Sequence, residues 1–120
     1  QNQSTSVWTK KPIRDFVYVK DVILAVKKLM TSDFSGPVNV GSGVGSSVGE
    51  LCRLLESLSQ KKIHDENKNV TGHMEYFHDI KLLESITGWK PQFSLEEGIS
   101  ETYEAMKVFY DKGLGPIERY

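Results

Sequence analysis

Strand-like and helix-like periods alternate twice in the first half of the chain, and this alternation restricts the fold more than any single motif. Ile13 to Val19 reads Ile-Arg-Asp-Phe-Val-Tyr-Val, rich in β-branched and aromatic residues, with Pro12 at its entry, and predicts a strand. Val22, Ala25, Val26, Leu29 and Met30 then recur at helical spacing, with Lys20, Lys27 and Lys28 opposite, which predicts an amphipathic helix ending near Ser32. Gly36-Pro37 breaks the chain, and Val38-Asn39-Val40 reads as a short strand running into the glycine-rich loop Gly41-Ser42-Gly43-Val44-Gly45. Ser47 with Glu50 forms a capping-box pattern for a helix whose buried stripe is Leu51, Leu54, Leu55 and Leu58. Strand, helix, strand, helix is the order of an α/β fold with parallel-type strands.

The second half is less regular. Gln60 to His73 is polar and reads as a surface loop, and Met74 to Phe77 as a short strand. Asp79 can cap a helix through Leu82, Leu83 and Ile86 that stops at Gly88, and Pro91 reinforces the stop. Ser94 with Glu97 opens a last helix carrying Ile99, Thr102, Tyr103, Met106 and Phe109 on one face and ending at Gly113. Residues 1–11 read as a disordered lead-in or linker, 12–113 as the folded region with about four helices, and 114–120 as a tail.

A chain of 120 residues with 38% hydrophobic content suits one domain with a modest core. Its 15 basic and 16 acidic residues give a net charge of -1, which offers no electrostatic footprint for nucleic acid or an anionic membrane. Cys52 is the single cysteine and no apolar run is long enough to span a bilayer, so a cytoplasmic location is expected.

The glycine-rich turn invites a dinucleotide-binding reading, with a pyrophosphate held on helix N-terminal amides. The spacing fails, because Ser46 stands where the third glycine would be and no glycine-lysine pair makes a P-loop. A tight strand-to-helix connection is the simpler reading, although glycines also let another group approach closely. Tyr103 and Lys107 have tyrosine-x-x-x-lysine spacing, but Tyr103 lies on the apolar stripe and reads as a core tyrosine. His64, His73 and His78 are not arranged as a helical metal pair, so no metal site is expected, and Cys52 reads as a small buried hydrophobe. Arg14 interrupts an apolar strand and needs an anionic partner. Two readings stay open: its fork of donors meets a diphosphate, or it forms an ion pair with Asp15 or Asp21.

Val7-Trp8 and Pro12-Ile13-Arg14-Asp15-Phe16-Val17-Tyr18-Val19-Lys20-Asp21-Val22, followed by the turn at Asn39-Val40-Gly41-Ser42-Gly43, then Gly88-Trp89-Lys90-Pro91 and Leu95-Glu96-Glu97-Gly98-Ile99, resemble the extended short-chain dehydrogenase/reductase family. These are NAD-dependent, Rossmann-type epimerases and dehydratases of nucleotide sugars, and the match falls in their C-terminal, substrate-binding part. The resemblance implies that Arg14 contacts the nucleotide diphosphate, that Phe16 sits beside it, that Val44 touches the base, and that Tyr76 lies where an aromatic flanks the nucleotide. Asn69 falls where UDP-sugar enzymes usually carry a second phosphate-binding arginine, so either Lys68 substitutes or the nucleotide differs, as in a GDP-sugar enzyme akin to GDP-fucose synthase. The usual glycine-rich link before the first strand is replaced by Thr9-Lys10-Lys11.

The family's cofactor fingerprint and its catalytic serine, tyrosine and lysine have no matching positions here, so no residue of this chain is assigned a catalytic role. NAD or NADP is expected in a complete enzyme and not on this segment alone. The expected partners are a nucleoside-diphosphate sugar, an N-terminal cofactor domain and further copies of the chain, since Val38 to Val40 cannot bury both faces within so small a unit. The alternative is a stand-alone, non-catalytic binding or interaction module that retains only this part of the fold.

Overall fold

The computed structural model of the protein describes residues 4–113. The predicted tail at 114–120 lies outside the described residues. The elements run β1 (Thr5–Val7), β2 (Ile13–Asp15), α1 (Val19–Met30), β3 (Gly45–Ser47), α2 (Val48–Ser59), β4 (Ile63–Asp65), α3 (Lys81–Thr87) and α4 (Leu95–Asp111). The architecture is a mixed α/β fold in which short strands position four helices.

Two two-stranded sheets replace the expected parallel pair. β2 and β3 are antiparallel, with Ile13 opposite Ser47, Arg14 opposite Ser46 and Asp15 opposite Gly45. On its other edge Ile13 exchanges bonds with the segment at Met74 to Tyr76, where the predicted strand is reduced to one bridge at Glu75. β1 and β4 pair in parallel, so Thr5 and Ser6 are ordered within the expected lead-in. This pairing uses backbone groups of distant, polar segments, which leave no periodic trace.

The predicted strand at Ile13 to Val19 stops at Asp15 because α1 already begins at Val19, with the Val22 amide donating to the Tyr18 carbonyl at 3.2 Å. Val38 to Val40 enters neither sheet. Val38 and Val40 instead pack, half-buried, on the core of Ala25, Leu83 and Trp89, together with Leu24, Leu29 and Ile80. Gly88, at φ +66, ends α3 in the left-handed conformation and turns Trp89 into that core.

The buried face of α1 is rotated from the expected one. Asp21 and Ala25 are fully buried, whereas Val26 and Met30 are exposed along with Val19 and Ile23, which together form an apolar outer stripe. Polar chemistry causes the rotation. The Asp21 carboxylate accepts the Gln92 amide at 3.0 Å and the Phe93 amide at 3.1 Å, anchoring the turn before α4. Ser94 and Glu97 form the expected reciprocal capping box. Gly98 then packs on Tyr18 so closely that an added Cβ would lie 3.0 Å from the Tyr18 Cβ. On α4 the expected apolar face is buried only near its start, and Met106 and Phe109 are exposed.

Removing Asp21 leaves two partly buried amide hydrogen bonds without their acceptor. Asp21→Ala is expected to lower the unfolding free energy by about 3 kcal/mol, from the usual 1.5–3 kcal/mol for hydrogen bonds to a charged group. Urea unfolding at constant m-value measures it; a loss below about 1 kcal/mol would show that the turn holds without the carboxylate.

Candidate functional site

β2 puts Arg14 on the opposite face from Ile13 and Asp15. Arg14 points into a cleft of about 300 Å³ that is also lined by Trp8, Pro12, Val48, Asn69 and Thr71. Its Nη1 donates to the Ile13 carbonyl at 2.7 Å and the Met74 carbonyl at 3.3 Å, which orient the guanidinium without neutralising it. Among the described residues no carboxylate pairs with Arg14. The ion-pair reading fails for a specific reason: Asp21 is occupied by the Gln92 and Phe93 amides, and Asp15 by another set of donors.

Asn69 lines the same cleft as Arg14. Lys68, the other candidate for the phosphate-binding role, pairs with Glu66 at the surface and lies over the Trp8 ring, 5.1 Å from its centroid. Phe16 and Val44 come together in a second cleft of about 650 Å³ with Ser42, Ser46 and Phe93. Arg14, which lines the first cleft, is the register partner of Ser46, which lines the second. Tyr76 lines neither cleft; it is exposed and packs edge-on against His78, with ring centroids 5.3 Å apart. Phe16 also borders an apolar cavity of about 260 Å³ between Tyr18 and the start of α4.

Asp15 is the group that sequence reasoning missed. Its side chain is 1% exposed. Oδ1 accepts the Ser42 amide at 2.7 Å and the Ser42 hydroxyl at 2.6 Å, and Oδ2 accepts the Gly43 amide at 3.2 Å and the His78 amide at 3.1 Å. Burial pushes the carboxyl pKa up, but the hydrogen bonds from Ser42, His78 and Gly43 outweigh it and hold the pKa below the ordinary carboxylate value. The glycine-rich loop therefore turns two of its amides inward, toward a protein carboxylate. The only sequence signal was an acid beside Arg14 and a dense run of glycines further on.

Among the described residues no cluster of three or more histidine, cysteine or acidic side chains could hold a metal ion. Cys52 is buried, and burial pushes its thiol pKa up, away from nucleophilic use. Tyr103 and Lys107 line none of the three clefts. No helix among the described residues is long and apolar enough to cross a membrane.

Because the folded-state pKa of Asp15 is depressed, its bonds stabilise the loop above the unfolded value of about 4 and are lost as pH falls through the lower folded value. Amide-exchange protection at Ser42, Gly43 and His78, corrected for intrinsic exchange rates, is expected to be constant from neutral pH to about pH 4 and to fall below it. Loss of protection nearer neutrality would show that another group controls the loop.

No known protein-family profile matches the chain. It is 38% identical over 104 residues to the Arabidopsis thaliana protein named "Putative GDP-L-fucose synthase 2", an alignment covering 82% of this chain and 31% of that protein. The structure of UDP-glucose 4-epimerase from Thermotoga maritima, solved with UDP-glucose, superposes with a TM-score of 0.75 at 26% identity, covering 93% of this chain and 36% of that one. RMD from Pseudomonas aeruginosa, solved with NADPH, superposes with a TM-score of 0.72 at 26% identity, over 82% of this chain and 34% of that one. The chain thus spans about a third of the length of such proteins. Ordered motifs, sequence identity and superposition agree that it belongs, as a partial segment, to the extended short-chain dehydrogenase/reductase family of NAD-dependent nucleotide-sugar epimerases and dehydratases.

Proposed function

We propose that the chain holds the nucleoside-diphosphate end of a nucleotide sugar, as part of a cytoplasmic NAD- or NADP-dependent epimerase or dehydratase. One observation carries this reading: Arg14 keeps a full positive charge, is oriented by two carbonyls, has no carboxylate partner among the described residues, and opens into a cleft shared with Asn69. A guanidinium so placed suits bidentate contact with phosphate oxygens, and the Asn69 amide supplies a neutral donor beside it. The adjoining cleft, with Phe16 and Val44 on its walls, offers the apolar surface that a base needs. Tyr76, which lines neither cleft, enters this reading only through the family resemblance.

Work of this kind is positional. Binding energy from the diphosphate and base orients the sugar for chemistry performed by groups elsewhere in the enzyme. A nicotinamide cofactor bound in the complete enzyme would supply reversible hydride acceptance, and the residues described here would hold only the nucleotide end of the sugar substrate. The residues present here do not form its pyrophosphate cradle, since the Ser42 and Gly43 amides are committed to Asp15. The cofactor-binding part of the enzyme is placed against the outer stripe of α1, where Val19, Ile23, Val26 and Met30 stand exposed.

Calorimetric titration with GDP, UDP and NAD tests the binding reading. One nucleoside diphosphate is expected to bind, and Arg14→Ala to weaken it about 10- to 100-fold, the usual worth of a charge-assisted pair. An Arg14→Ala variant that binds the same nucleotide equally well would overturn the assignment. For the α1 stripe, sedimentation of the chain alone is expected to show self-association that Ile23→Glu with Met30→Glu abolishes; a concentration-independent monomer would count against this surface being a contact face.

A further inference from the structure

Building on the nucleotide-binding reading above, we propose that Asp15 is the positioning residue of the nucleotide site, holding in register three of the segments that carry its candidate contacts. The first segment is its own strand. Arg14 and Phe16 flank Asp15; strand alternation directs Arg14 away from the Asp15 side chain, and Phe16 follows directly at the end of the strand. The second is the glycine-rich loop: Ser42 and Gly43 donate to the carboxylate, and the Val44 amide donates to the Ser42 hydroxyl at 3.1 Å, so the placement of Val44 follows from the same group. The third is the chain at His78, held through its amide at 3.1 Å and its ring Nδ1 at 3.2 Å, with the ring packed edge-on against Tyr76.

The glycines make this arrangement possible. A Cβ at Gly41 would overlap Asp15 Oδ2 and stand 2.9 Å from His78 Nδ1, so no side chain fits there. Gly43 has φ +72, and a Cβ there would press on Ile80 at 3.0 Å. The close approach that a glycine-rich turn usually grants to a phosphate is here granted to an internal carboxylate. A carboxylate is required rather than an amide. Both of its oxygens receive donors, and asparagine would place an NH₂ against one of those sets.

Asp15→Asn and the milder His78→Leu, which removes only the ring contact, test the proposal. GDP and UDP titrations are run beside amide exchange at Ser42 and Gly43. In Asp15→Asn, exchange at both amides is expected to rise, and nucleotide affinity to fall about tenfold while the protein stays folded, because the loop must be ordered on binding. His78→Leu is expected to move both readouts in the same direction by less. A folded Asp15→Asn variant with faster exchange but unchanged affinity overturns the positioning role. If Asp15→Asn does not fold, unchanged affinity in a His78→Leu variant with faster exchange overturns it equally. A parent protein that binds neither nucleotide overturns the underlying reading instead.

Discussion

A buried carboxylate is tolerable only when donors surround it, and two such groups organise this chain. Asp15 and Asp21 both sit near the start of the fold, and both take most of their donors from main-chain amides distant in sequence. In a chain with few fully buried apolar residues, these bonds do what a larger core would otherwise do. Asp21 ties α1 to the turn that precedes α4, and Asp15 ties β2 to the glycine-rich loop and to His78. Hydrogen bonds to charged acceptors are stronger and more directional than apolar contact, so these attachments set angles as well as distances.

Committing both aspartates inward also determines the electrostatics of the site. Arg14 stands immediately before Asp15 and seven residues before Asp21, and each was a plausible counter-ion. With both satisfied elsewhere, the guanidinium stays charged and uncompensated within the described structure, held by the Ile13 and Met74 carbonyls. Placing a cation at a cleft without a counter-ion costs stability, and an anionic ligand offsets that cost on binding. The site is thus a consequence of how the acids are used.

The outer stripe of α1 and the exposed end of α4 belong to the same picture. Val19, Ile23, Val26 and Met30 form a regular apolar face that the described residues leave uncovered, and Val38 to Val40 lies extended without a ladder partner. Proteins of the same family are about three times as long in the alignments above. Helical periodicity correctly marked α1 as amphipathic, but periodicity cannot say which of two apolar-rich sides meets this core, and the Asp21 bonds chose the side.

Much of the fold was legible from local sequence, and the candidate site residues were named from ordered motifs. The helices at α1, α2 and α4, the caps at Ser47 and Ser94 and the left-handed stop at Gly88 rest on signals that act within a few residues, whereas the separation of Phe16 and Arg14 into two clefts was not foreseen. The antiparallel β2–β3 pair, the parallel β1–β4 pair, the failure of Val38 to Val40 to pair, and the Asp15 hub depend on contacts between distant segments. Their donors are backbone amides, which every residue but proline possesses and which therefore leave no mark in the sequence. The sequence by itself determined where helices start and stop and which residues carry charge; only the tertiary structure decided which amides reach Asp15 and Asp21, and so left Arg14 without a carboxylate partner among the described residues.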